Sequence, residues 1–181
     1  MLFLILLLSF GQLAAQSQTA GDIVTLHVSD YCLIDTNHAP VNLVLSSSVA
    51  GAPVTSVFNS DMFVKISSVV PGNTHRTITA RIASGAVPAG TRLSLIAATC
   101  TFTNSGGALG TVVAVPVVLN AADQTIVDMI RSCYTGTGNT DGYRLTYTWF
   151  PYSPAANYQL LQATTTPSVI TVVLTITAKG G

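Results

Sequence analysis

The chain has 181 residues with no glutamate, and its seven aspartates balance seven lysines and arginines, so charged groups make up 8% of it where about a quarter is usual. A net charge of zero without any basic cluster excludes phosphate-driven binding of nucleic acid. An apolar content of 49%, rich in β-branched residues, excludes intrinsic disorder and favours strands whose outer faces are kept wet by Ser and Thr.

Leu2 to Phe10 is an apolar run followed by Gly11 and the small pair Ala14–Ala15, the layout of a secretory signal peptide over residues 1–15, with cleavage expected after Ala15. The run is shorter than the ~20 residues a spanning helix needs. The mature chain, 16–181, is therefore expected to be a single domain outside the cytoplasm, in the periplasm, at the cell surface or in the medium, with no membrane span. Val24, Leu26 and Val28 then alternate with Thr25 and His27, the period of a strand. Cys32, between Tyr31 and Leu33, reads as a buried small hydrophobe. Asp35-Thr36-Asn37-His38 gathers oxygen donors, but a calcium loop supplies several carboxylates, and turn chemistry explains the same residues.

Met62, Val64 and Ile66 alternate with Phe63, Lys65 and Ser67, as Ile78, Ala80 and Ile82 do with Thr77, Thr79 and Arg81. Pro71-Gly72-Asn73 between them is a turn sequence, so the two runs are expected to pair as a hairpin. Arg76, Arg81 and Arg92 are three cations among threonines, read as a solvated strand face. Further strands are expected at Leu93–Ala97, Val113–Val117 and Thr125–Ile130, with Pro116 marking an edge or a bulge. Asn139-Thr140-Asp141-Gly142 resembles a fragment of a calcium loop but lacks its acids. Tyr143, Leu145, Tyr147 and Trp149 form an aromatic face that suits a core, or stacking against a sugar or a partner. Phe150-Pro151-Tyr152-Ser153-Pro154 is a Pro-bounded loop, and Phe150 and Tyr152 are its candidate recognition residues. Ile170, Val172, Leu174 and Ile176 complete the last strand.

Nine or ten strands and no sustained helical period give an all-β fold, an antiparallel two-sheet sandwich of immunoglobulin-like or pilin-like kind. A closed barrel is the second choice.

No nucleophile elbow, zinc-binding helix, P-loop or dinucleotide fingerprint occurs, and the seven aspartates are isolated. The expectation is a non-enzymatic protein without catalytic residues, cofactor or metal. The three cysteines, Cys32, Cys100 and Cys133, suit an oxidising compartment and allow three single bridges, each leaving one thiol over. Cys100 and Cys133 both stand at strand ends, where a bridge would stabilise by about 3–4 kcal/mol in the chain-entropy view.

Several stretches carry a resemblance. They include His75-Arg76-Thr77-Ile78-Thr79-Ala80-Arg81-Ile82, the Val87-Pro88-Ala89-Gly90-Thr91 joint, Ser132-Cys133-Tyr134-Thr135-Gly136, Leu145-Thr146-Tyr147 and the Val172-to-Thr177 strand. Together they resemble small exported proteins of Gram-negative Bacteroidota, and through the closing Thr-rich strand the pilin-like and WxL-type surface sandwiches. The resemblance implies an extracytoplasmic β-sandwich, a bridge between Cys100 and Cys133, and a surface or fimbria-like role whose partners are other surface proteins, the chain itself or glycans. It brings no functional residues. Pilins of the chaperone–usher kind donate a free N-terminal arm to the next subunit's sheet. Here only Gln16 to Gly21 precede the first strand-like run, so either Ile23–Val28 is itself the donor or the sandwich is complete.

Overall fold

The computed structural model describes residues 21–101 and 103–179; the expected leader, residues 1–15, lies outside them. Alternating apolar positions build β1 (Tyr31–Thr36), β2 (Val57–Val69), β3 (His75–Ser84) and β4 (Thr91–Ala97). Three two-residue strands follow, β5 (Gly106–Gly107), β6 (Thr111–Val112) and β7 (Val117–Val118). Then come β8 (Gln124–Ile130), β9 (Cys133–Tyr134), β10 (Tyr143–Pro151), a single helical turn α1 (Pro154–Asn157) and β11 (Thr171–Lys179). Among the described residues no helix is long and apolar enough to cross a membrane.

The strands form the expected all-β sandwich of two antiparallel sheets. One has seven strands in the order β5-β9-β2-β10-β4-β7, with β1 also on β2; the other has four, β11-β3-β8-β6. Val64 and Ile66 of β2, Leu95 of β4 and Leu145 of β10 form one core cluster with Ile78 of β3 and Val127 of β8, all nearly inaccessible to water.

The expected hairpin is not formed. The Pro71–Thr74 turn is present, with Thr74 N–H on Pro71 O at 3.2 Å and Gly72 at φ 53°, but it hands the chain from one sheet to the other. β2 pairs with β1, β9 and β10, and β3 pairs with β8 and β11. The apolar faces of β2 and β3 therefore oppose each other across the core, which buries both, instead of lying side by side. Pro116 marks a similar crossing. Of the run expected as one strand, Val113–Val117, only Val117 lies in a strand, β7 of the seven-stranded sheet, while β6 just before the run belongs to the four-stranded one.

Thr135 shows how closely the short strands are fitted. It is fully buried, and its Oγ1 accepts from Ile66 N–H at 2.9 Å while its own N–H donates to Ile66 O at 3.1 Å. Thr135→Val keeps the shape but leaves the Ile66 N–H without a partner in a dry site. The expected loss is about 1–2 kcal/mol, read as a lower urea midpoint with an unchanged slope, and Thr135→Ser should restore most of it.

Asp128 of β8 holds the outer face of the smaller sheet. Its carboxylate accepts from Thr77 Oγ1 at 2.6 Å, Met129 N–H at 2.8 Å and Lys179 Nζ at 3.1 Å. These contacts, Thr77 foremost, lower its pKa from 3.8 to about 2. A depressed folded-state pKa contributes stability above the unfolded value and loses it as pH falls through the folded one. Asp128→Asn is thus expected to melt lower at pH 7 and to converge on the parent between pH 4 and 2, measured by thermal unfolding across that range.

Candidate functional site

The feature the fold leaves open lies between two strand edges. β1 pairs only with β2, and β11 only with β3, so each has one edge without a ladder partner among the described residues. A cavity of about 1260 Å³, partly open to solvent, runs between them. Its walls include Ile34 of β1, Val41 and Leu43 beyond it, Trp149 of β10, and Val172 and Leu174 of β11. Ordinary small-molecule pockets enclose roughly 300–1,000 Å³.

Local chemistry sets this edge. Asn37 ends β1 by using its side-chain amide as a further rung: Nδ2 donates to Asp61 O at 2.8 Å and Oδ1 accepts from Phe63 N–H at 3.0 Å. His38 then takes a left-handed conformation, φ 52°, and turns the chain out of the sheet. Beyond it Val41, Leu43 and Leu45 are half-buried while Pro40, Asn42 and Val44 are exposed, the alternation of a strand. Yet residues 40–46 enter no ladder and make no backbone hydrogen bond among the described residues. Their N–H and C=O groups are left to solvent or to an added strand.

The cleft is largely apolar. Trp149 is half-buried on its wall, and the indole N–H is already donated to Thr91 Oγ1 at 2.8 Å. Tyr147 is buried beside it, which pushes its phenol up to about 12. Asp35 lines the cleft on the β1 side; the Thr36 backbone N–H, with Lys65 and His38 nearby, holds its carboxyl below the usual range.

Of the residues singled out in the sequence, Tyr147 and Trp149 line this cleft, whereas the candidate recognition residues Phe150 and Tyr152 do not. Phe150 is not in a loop: it lies in β10 opposite Arg92 and is half-buried. Tyr152 follows the strand, 41% exposed, with the Arg92 guanidinium 3.4 Å from its ring centroid, so one face is taken by a cation–π contact. The three arginines go to three places. Arg76 is buried on Asp30 and Ser68, Arg81 lies 3.6 Å from Asp123, and Arg92 stacks on Tyr152. Asp141 is buried and closes its own turn by accepting Gly138 N–H at 2.7 Å.

The expected Cys100–Cys133 bridge is absent, and Cys32, Cys100 and Cys133 are free thiols. Cys133 sits opposite Ser68 and Gly107, and burial, with Cys100 nearby, pushes its thiol up to about 11. A thiol held protonated in this way is a poor attacking group, since thiolate is the form that exchanges. Both cysteines pack as core side chains, and Tyr143 beside them has its phenol raised for the same reason, burial. Cys32 is half-buried on β1.

Two signals for the cleft went unread. The Ala39-Val41-Leu43-Leu45 alternation is plain in the sequence, and Asn37-His38 marks where it parts from β1. Neither says that the partner strand is missing. No protein-family model, curated protein or solved structure matches the chain.

Proposed function

We propose that the chain is an exported, non-enzymatic surface protein, structural or adhesive in role and fimbria-like in its manner of contact. It engages other proteins by accepting an extended apolar segment in the cleft between β1 and β11. One observation carries this reading: a largely apolar cleft bordered by two strand edges that have no ladder partner among the described residues. Strand addition to an open edge takes affinity from main-chain hydrogen bonds and specificity from alternate side chains. The absence of any catalytic motif from the sequence supports a role in contact rather than chemistry.

An extracytoplasmic binding module for a carbohydrate or small ligand is the second reading, favoured by Trp149 and Tyr158 on the cleft wall. A sugar would need several free donors and acceptors, whereas the Trp149 N–H is spent, so an apolar ligand suits the wall better.

The test is photo-cross-linking in cells from position 44, where Val44 is 74% exposed beside the cleft, combined with protease treatment of intact cells. Cross-links to a polypeptide, with surface sensitivity to protease, are the expected result. A small-molecule adduct alone would favour the second reading. Protection of the chain inside the cytoplasm would overturn both.

A further inference from the structure

We infer that the floor of the cleft is a binding site for an uncharged lipid-like molecule, an acyl chain whose ester carbonyl is received by the Tyr147 hydroxyl. The site uses the walls of the cleft and not its strand edges, so it goes beyond the proposed polypeptide contact. It rests on the second reading, a module for a small ligand, and names the ligand's class.

Tyr147 carries the argument. It belongs to β10, is 5% exposed and lines the cavity. Among the described residues the one hydrogen-bond partner of its hydroxyl is Met62 Sδ, at 3.8 Å. A thioether sulfur is a weak acceptor, so this O–H sits in dry surroundings with most of its bonding capacity unused. Buried phenols ordinarily find a better partner, and a donor left short of one is costly. Tyr143, on the same strand, shows the usual arrangement: its hydroxyl donates to the Leu109 carbonyl. Tyr147 has no protein carbonyl in that position. Burial also pushes its phenol up to about 12, so the group remains a neutral donor at any physiological pH.

The surroundings decide what kind of molecule brings the acceptor. Met62, Leu93 and Trp149 of the larger sheet and Val172 and Leu174 of β11 supply apolar surface. The donors beside Tyr147 are already used: the Trp149 indole N–H on Thr91 Oγ1 at 2.8 Å, and the Thr91 hydroxyl on Pro88 O at 2.7 Å. One open donor among apolar walls suits a ligand with one strong acceptor and no donor. A sugar would bury several unpaired hydroxyls there, and a peptide its N–H groups, each at a cost. Charge sets the last condition. No lysine or arginine lines the cavity, and its one carboxylate, Asp35, already holds His38 at 3.4 Å and Lys65 at 3.6 Å. A fatty acid anion would therefore lose its hydration without gaining an unpaired cation. A neutral ester meets every condition. The cavity volume of about 1260 Å³ also leaves room for a long chain.

The single tryptophan of the chain, Trp149, stands in the cavity wall and reports occupancy by its fluorescence. The full chain, expressed from its complete sequence, is titrated with N-phenyl-1-naphthylamine, an uncharged apolar probe without a carbonyl that quenches tryptophan by energy transfer. Methyl octanoate and octanoate are then added as competitors at neutral pH. The probe is expected to quench Trp149, the ester to displace it, and the octanoate anion to displace it far less well. Tyr147→Phe should keep the parent's melting temperature and probe affinity while losing about 2- to 10-fold in affinity for the ester, the worth of one neutral hydrogen bond. A tyrosine that only fills the core would move both affinities together or neither. Equal ester affinity in Tyr147→Phe and parent overturns the inference and leaves the small-ligand reading standing. Octanoate competing as well as the ester does the same, and that comparison needs no variant. If neither probe nor ester binds, this inference and the second reading both fall, and a polypeptide cross-linked from position 44 still supports the first.

Discussion

Gly142→Ala is expected to remove about 3–5 kcal/mol of stability, a large share of what a domain of this size holds. Gly142 is buried at φ 100°, and a Cβ there would stand 2.0 Å from Val64 O and 2.7 Å from Val64 C. Those are backbone atoms of the central strand, so no side chain can swing aside to make room. The next residue, Tyr143, pairs with Val64, and relief would require β10 to move off β2 in the middle of the larger sheet. At about 2–4 °C per kcal/mol the melting temperature should fall by roughly 10–15 °C. Gly51→Ala provides the control, because Gly51 has φ 83° and nothing within 4 Å of the added carbon. It carries the backbone strain alone and should cost about 1 kcal/mol. Equal losses in the two variants would show that strain, not the contact with Val64, sets the cost.

The same residue shows what the sequence discloses and what it conceals. Asn139-Thr140-Asp141-Gly142 reads as a turn or a fragment of an ion loop, since Asn, Asp and Gly serve both. Only the approach of Val64 explains why glycine stands at the fourth position, and that approach is non-local. Strand faces were legible where alternation is kept, as in β10, whose Tyr143, Leu145 and Tyr147 are buried in turn; β3, which buries His75 to Ile78 in a row, and β8, which buries both Ile126 and Val127, depart from it. Partners were not. Pro71-Gly72-Asn73 announces a reversal but does not distinguish two strands lying side by side from two facing across a core. The difference lies in which other strands compete for β2, and those come from β1, β9 and β10.

The cleft was harder still, because it is defined by a strand that is not there. Residues 24–28 were legible as strand-like from their alternation, and their lack of a ladder became visible only once the neighbouring edges were placed. The aromatic residues misdirected attention for an ordinary reason. Phe150 and Tyr152 flank Pro151 near the end of an aromatic run, which resembles a display loop, yet Phe150 belongs to β10 and Arg92 on the adjacent strand covers one face of Tyr152. The thiols belong with them. Strand-end cysteines suggest a bridge by position, whereas Cys100 and Cys133 pack as separate thiols in the core.

Asp30→Ala is expected to cost more than Arg76→Met, although each removes the same ion pair. The Arg76 side chain is 7% exposed and that of Asp30 is 52% exposed. Deleting the carboxylate leaves a guanidinium in the protein with its charge uncompensated, held only by Ser68 Oγ and the Tyr31 and Val69 carbonyls. Water reaches the Asp30 side, so the penalty falls below that of a fully buried pair, to about 2 kcal/mol. Arg76→Met leaves a carboxylate that water can solvate, replaces the stem with apolar bulk, and deprives Ser68 of a donor, for about 1 kcal/mol. The double variant should resemble Arg76→Met alone, a departure from additivity that urea unfolding of the four proteins would measure. Additive losses would mean that the two residues act separately.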